Sequence, residues 1–149
     1  MRGVQMILIM QVLMLELEVN NMLISYNAYV TKKVQCFKYV EYANDLMIGD
    51  CVEGCNGFTM VDREPKTAKA KHYYVLEHNG RTTMLEPNNY VKMADGTYKL
   101  PEELCKGDIL FPKQVLQYIG HANQPLYMVK IVTTDNTIKA NGLYIKEGK

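Results

Sequence analysis

Four short dipeptides limit what this chain can become. Asn79-Gly80 sits between "KHYYVLEH" and "RTTMLE", and Asp95-Gly96 between "NYVKM" and "TYKLP". Asp135-Asn136 separates "YMVKIVTT" from "TIKA", and Asn141-Gly142 separates "TIKA" from "LYIKE". Such pairs close tight hairpins because both central positions of a type I′ turn need positive φ, and Asn-Gly and Asp-Gly meet that need at least strain. The runs they divide are rich in Tyr, Val, Ile and Thr, which fit a pleated surface better than a helix. From residue 25 onward no long helical periodicity interrupts them. One short helical turn is expected at Pro101-Glu102-Glu103-Leu104. The pattern predicts an all-β domain.

An internal repeat sharpens that expectation. "NDLMIGDCV" and "EELCKGDIL" share Leu-x-x-Gly-Asp followed two residues on by an apolar side chain. Leu46 matches Leu104, Gly49 matches Gly107, Asp50 matches Asp108, and Val52 matches Leu110. The leucine anchors a turn in the core, the glycine permits a left-handed step, and the aspartate holds turn amides. Two copies are too few for a solenoid. They predict two pseudo-symmetric halves.

The chain has 149 residues, enough to bury a sizeable core as one domain. Its formal net charge is +1, which gives no basic surplus for nucleic acid and no acidic tail. Cys36, Cys51, Cys55 and Cys105 form no C-x-x-C pair, and His72, His78 and His121 are scattered singly. No metal site or other cofactor is expected; the cysteines are expected as buried or half-buried thiols in a reducing compartment. The opening "MRGVQMILIMQVLML" is interrupted by Gln5 and Gln11 and is too short to span a bilayer as a helix. In the following "LELEV", Leu15, Leu17 and Val19 alternate with Glu16 and Glu18, which is strand periodicity. Residues 1–24 are therefore read as an apolar arm or strands that dock on a partner, and 25–149 as the β domain.

The order "KKV…VEYANDLMIGDCV", "YYVLEHNGRTTMLEPNNYVKMADGTYKLPEELCKGDILF", "PLYMVKIVTTDNTIKANGLYIKE" resembles the Hint domain, shared by inteins and the autoprocessing part of hedgehog proteins. The resemblance covers roughly residues 25 to 147 and is most specific over Gly80 to Phe111. It implies a horseshoe of mostly antiparallel strands with pseudo-two-fold symmetry. It also implies a chemistry: an initial Cys or Ser attacks the preceding carbonyl, a Thr-x-x-His activates that bond, and a terminal His-Asn cyclises.

Carried onto this chain, the chemistry finds no matching residues. Counting back from Val34 places the first position at Asn27, which has no thiol or hydroxyl. Cys36-Phe37 mimics a hedgehog start but lies too close to Gly49-Asp50. The Thr-x-x-His block falls on Glu86-Pro87-Asn88-Asn89, and the terminal pair on Lys146-Glu147. Acid-base assistance alone contributes ~10²–10⁴-fold, so losing every member together argues against splicing. The expected function is a non-catalytic Hint-like module, a structural or interaction domain that binds a protein partner or a second copy through its arm. Its expected setting is the cytoplasm or a viral or phage particle, without nucleic acid or membrane. The alternative is a diverged autoprocessing domain with Ser25 as nucleophile and His72 or His78 replacing the missing histidine.

Overall fold

A computed structural model of the protein describes residues 22–148, so residues 1–21 of the arm expected over residues 1–24 lie outside the described residues. The described chain is built from strands. In order these are β1 (Met22–Ile24), β2 (Tyr29–Val34), β3 (Phe37–Tyr42), β4 (Cys51–Gly54) and β5 (Gly57–Met60). There follow β6 (Lys66–Ala70), β7 (Tyr73–His78), β8 (Arg81–Leu85), β9 (Tyr90–Lys92) and β10 (Tyr98–Lys99). The last five are β11 (Ile109–Leu110), β12 (Gln114–Ala122), β13 (Leu126–Ile131), β14 (Thr137–Ala140) and β15 (Leu143–Lys146). They pair antiparallel in four small sheets, ordered β3-β2-β4-β5, β10-β9-β15-β14, β11-β12-β7-β8 and β1-β13-β6. The all-β expectation holds, and the helical turn expected at residue 101 is a single 3-10 turn, Pro101–Glu103.

The repeat read from the sequence is a repeat in three dimensions. A 3-10 turn at Ala43–Asp45 precedes the first copy, and Pro101–Glu103 precedes the second. Leu46 and Leu104 then drop into the interior, only 4% and 6% exposed. Asp50 accepts a hydrogen bond from the Met47 amide at 2.8 Å, and Asp108 accepts one from the Cys105 amide at 2.9 Å. The Gly49 amide donates to Val61 O and the Gly107 amide to Leu116 O, both at 2.8 Å. These glycines stand at φ +88° and +96° with open space where a Cβ would go. Backbone conformation, not crowding, is what calls for glycine there.

The duplication extends further than the Leu-x-x-Gly-Asp match. "ISYNAYV" (24–30) and "LEPNNYV" (85–91) turn the same corner. In the first the Ala28 amide donates to Ser25 O at 3.1 Å, and in the second the Asn89 amide donates to Glu86 O at 3.2 Å. Val30 and Val91, which follow, are both fully buried. Ser25 and Glu86 thus hold corresponding places in the two halves.

Two turns differ from the sequence expectation. Asn79-Gly80 and Asn141-Gly142 have positive φ at both residues, but at Asp95-Gly96 only the glycine does, and at Asp135-Asn136 only the asparagine does, with Asp135 Oδ1 likewise accepting from the Thr137 amide at 3.1 Å and the Thr137 hydroxyl at 2.8 Å. The reason is local: Asp95 Oδ1 accepts from the Thr97 amide at 2.9 Å and the Thr97 hydroxyl at 2.6 Å, which ties the aspartate forward along the chain. The result is a longer loop closing β9 on β10 with a left-handed glycine near its end. The sequence also gave no warning of the two-residue turn Gln35-Cys36, where Gln35 takes φ +55°.

The larger of two apolar core clusters is drawn from every sheet, with Val52, Leu76, Leu85, Leu116, Ile131, Ile138 and Ile145 at zero exposure, and a smaller one gathers Leu23, Ala70, Tyr73 and Met128. Met22 and Ile24 belong to the larger at 0% and 1% exposure. The span assigned to the arm therefore ends in a core strand, held by β13 in the register Met22↔Ile131 to Ile24↔Val129.

Candidate functional site

The corner at Glu86–Asn89 meets the end of the described chain. Gly148 packs so closely on Asn88 that a Cβ would collide with the Asn88 carbonyl. The Glu147 amide donates to Asn136 O at 2.9 Å, which fixes the approach of this last segment. Asn89 is fully buried beneath the corner. The positions that the resemblance pointed to in the middle of the chain and at its end are thus neighbours through Asn88 and Gly148. β15 brings them together by pairing with β9 at Ile145↔Val91 and Lys146↔Tyr90.

Glu86 is the most unusual group here. Its Oε2 is buried with no hydrogen-bond partner among the described residues. Burial pushes its carboxyl above the usual glutamate range, and the charge of Lys130 only partly opposes this. Lys130 lies on β13 directly opposite Leu23. Desolvation favours the neutral form of this carboxyl, which suits it to hold or give a proton, but that alone makes no nucleophile.

Ser25 is nearly buried, and its hydroxyl lies 3.7 Å from Met84 Sδ. It lines a cavity of about 350 Å³ with Asn27, Tyr29, Tyr42, Arg81 and Asn141. Asn141 forms the clamp of this cavity, a role the sequence reading missed. Its Oδ1 accepts from the Tyr29 amide at 2.8 Å, and its Nδ2 donates to Thr82 O at 3.3 Å. The side chain thereby ties β2 to β8 across the molecule. The signal available was its place in an Asn-Gly pair, which reported the turn and not the side chain's partners.

The two histidines offered as replacements are not brought together. His72 precedes β7 and His78 ends it, and six residue steps of extended chain separate them by about 20 Å. His72 is exposed, its ring 6.0 Å from that of His121, which also meets Tyr74 edge-on at 5.0 Å. His78 is fully buried, with Nδ1 at 2.8 Å from Gln114 Oε1 and Nε2 at 2.7 Å from Thr83 Oγ1. Gln114 Nε2 donates to Phe111 O and Gly142 O, so its oxygen must accept from His78. That assigns the proton to Nδ1 and leaves Nε2 accepting from Thr83. Burial holds the His78 pKa below its usual value. Both ring nitrogens are engaged in joining β7, β8 and β12.

The thiols differ in part from expectation. Cys55 is buried and Cys51 half-buried, but Cys36 and Cys105 are exposed because both sit in turns. Among the described residues no group of three or more His, Cys, Asp or Glu is placed to hold a metal ion. Among them too, no helix is long and apolar enough to cross a membrane.

Comparison with solved structures identifies the architecture. A DnaB intein from Synechocystis superposes with a TM-score of 0.68 at 16% identity, over 86% of this chain and 99% of that one. The gp41-1 intein superposes with a TM-score of 0.64 at 15% identity, over 84% and 97%. A bacterial intein-like domain from Clostridium thermocellum gives a TM-score of 0.64 at 11% identity, over 88% and 100%. No protein-family profile matches the chain, and no curated protein matches it. At these identities the likeness establishes the fold: an all-β, Hint-like architecture of the kind inteins share.

Proposed function

We propose that this Hint-like domain has kept the architecture as a scaffold and does not cut or splice its own chain. The observation that carries this reading is the corner at Glu86–Asn89. Where the resemblance calls for a threonine and a histidine, the protein places a buried carboxyl and a fully buried Asn89. Asparagine has no titratable nitrogen, so it cannot give a proton to a leaving amine as an imidazole does. Asn27, Lys146 and Glu147 supply neither the attacking thiol or hydroxyl nor the cyclising amide. Ser25 and His78 are committed to structural contacts on opposite faces of β8, Ser25 on Met84 and His78 on Thr83, with His78 also on Gln114.

The role that remains for such a domain is interaction with other protein chains, the apolar residues before Met22 being one docking element. A viral or phage assembly is a setting that suits it. The test is a fusion with one reporter before Met1 and another after Lys149. It stays a single chain through prolonged incubation, with or without dithiothreitol or hydroxylamine, which intercept thioester and ester intermediates. Scission just before Ser25 that Ser25→Ala abolishes overturns the reading.

A further inference from the structure

The first hairpin, β2–β3, carries an unusual concentration of exposed apolar side chains. Val40 is 68% exposed, Phe37 60% and Tyr39 52%, with Val34, Tyr29 and Tyr42 close behind. β3 is also the outer strand of its sheet, paired along its whole length to β2 and to nothing on its other side among the described residues. A six-residue edge of this kind is normally blunted by proline, a bulge or a run of charge. Here the register with β2 is unbroken, there is no proline, and only Lys38 and Glu41 are charged.

The backbone fixes which groups face outward. Val34 and Phe37 flank the two-residue turn and form its hydrogen-bonded pair, so hydrogen-bonded pairs alternate from there. Phe37, Tyr39 and Glu41 point their amides and carbonyls at β2; Lys38, Val40 and Tyr42 point theirs away. Two antiparallel strands related by a two-fold axis can pair only residues whose side chains lie on the same face. One register uses all three outward residues: Val40 opposite Val40, and Lys38 opposite Tyr42 on either side. Tyr39 then falls opposite Glu41. No like charges meet, an ammonium lies beside an aromatic ring, and the most exposed apolar residue lies on the axis.

We infer that β3 is a homodimer interface, at which a second copy of this chain adds its own β3 to make one continuous sheet. The inference rests on reading the domain as an interaction module, but not on the absence of self-cleavage or on the residues before Met22. The occupant is a second copy because the edge is complementary to itself in charge and in hydrogen bonding.

Sedimentation velocity on the full chain, between about 1 and 100 μM, tests it. The parent sediments as a dimer. Val40→Pro removes an outward amide that the monomer does not use, and proline is tolerated on edge strands. Val40→Lys sets two ammonium groups face to face on the axis. Each variant raises the dimer Kd at least tenfold, and mixing Val40→Lys with Val40→Glu restores dimers. Val40→Lys, a substitution at an exposed position, decides the matter if the proline variant does not fold. A parent that stays monomeric throughout the range overturns the inference. So does a dimer that survives both variants, and if that dimer dissociates with Leu15→Ser and Leu17→Ser, the N-terminal segment is the interface instead.

Discussion

Glu86 and His78 show how one apolar environment acts on opposite kinds of acid. Desolvation disfavours the charged form of each, so it raises the carboxyl and lowers the imidazole. The consequences for stability run in opposite directions. The folded protein holds the Glu86 proton more tightly than the unfolded chain does. Its contribution is therefore present below the ordinary glutamate pKa and is lost as pH rises through the raised folded value. Glu86→Gln removes that ionisation. The variant gains stability relative to the parent at neutral pH, where the parent carries the cost of ionising a partly desolvated carboxyl. The difference shrinks as pH falls towards 4, and thermal melts of the pair at several pH values measure it. A variant that is no more stable than the parent at pH 7 shows that folding does not raise the Glu86 pKa. His78 works the other way: its contribution is lost as pH falls below the ordinary histidine value, so the Glu86 effect must be taken as a variant-minus-parent difference.

Elements show what could be read in the sequence and what could not. Hairpins were legible where a pair of residues must take positive φ, as at Asn79-Gly80 and Asn141-Gly142. Gln35-Cys36 takes a similar turn without any such signal, because tertiary pairing of β2 and β3 over six residues outweighs the local preference of glutamine. The Leu-x-x-Gly-Asp step was legible because each of its residues does local work. Its extension through "ISYNAYV" and "LEPNNYV" was harder to see, since Ser25 and Glu86 share a place and not a chemistry. The partners of Asn141 and His78 were invisible for a different reason. Tyr29 lies 112 residues from Asn141 and Gln114 lies 36 from His78, and no local pattern encodes a contact at that separation. The glycine pair gives the test at this scale. An added Cβ at Gly49 or Gly107 meets no atom within 4 Å, so for Gly49→Val and Gly107→Val the expected cost is backbone strain at positive φ, about 1–3 kcal/mol each. Denaturant melts measure it. If both variants melt like the parent, the repeated step does not need its left-handed residue.

At the scale of the molecule, the sheets are small and each depends on others to bury its face. The largest sheet here has four strands, and the larger core cluster takes residues from all four sheets. Such a fold is cooperative: a short strand matters by what it covers and not by its length. β1 has three residues and lies at a sheet edge, yet Met22, Leu23 and Ile24 are 0%, 6% and 1% exposed. Two truncations separate its role from that of the residues before it. Removing residues 1–20 leaves β1 on β13 intact, so the remaining chain keeps its cooperative melt and its dispersed amide spectrum. Removing residues 1–24 strips three buried side chains and exposes Val129 and Ile131, their partners on β13. Loss of buried groups as large as Leu or Ile costs about 2–5 kcal/mol apiece, against a total stability of about 5–15 kcal/mol. The longer truncation therefore abolishes the folded state or leaves it marginal, with fast hydrogen exchange even across Tyr73–Leu76 and Tyr90–Met93. If the shorter truncation unfolds as well, residues before Met22 are part of the core; if the longer one melts like the parent, β1 is dispensable and the domain begins at Ser25.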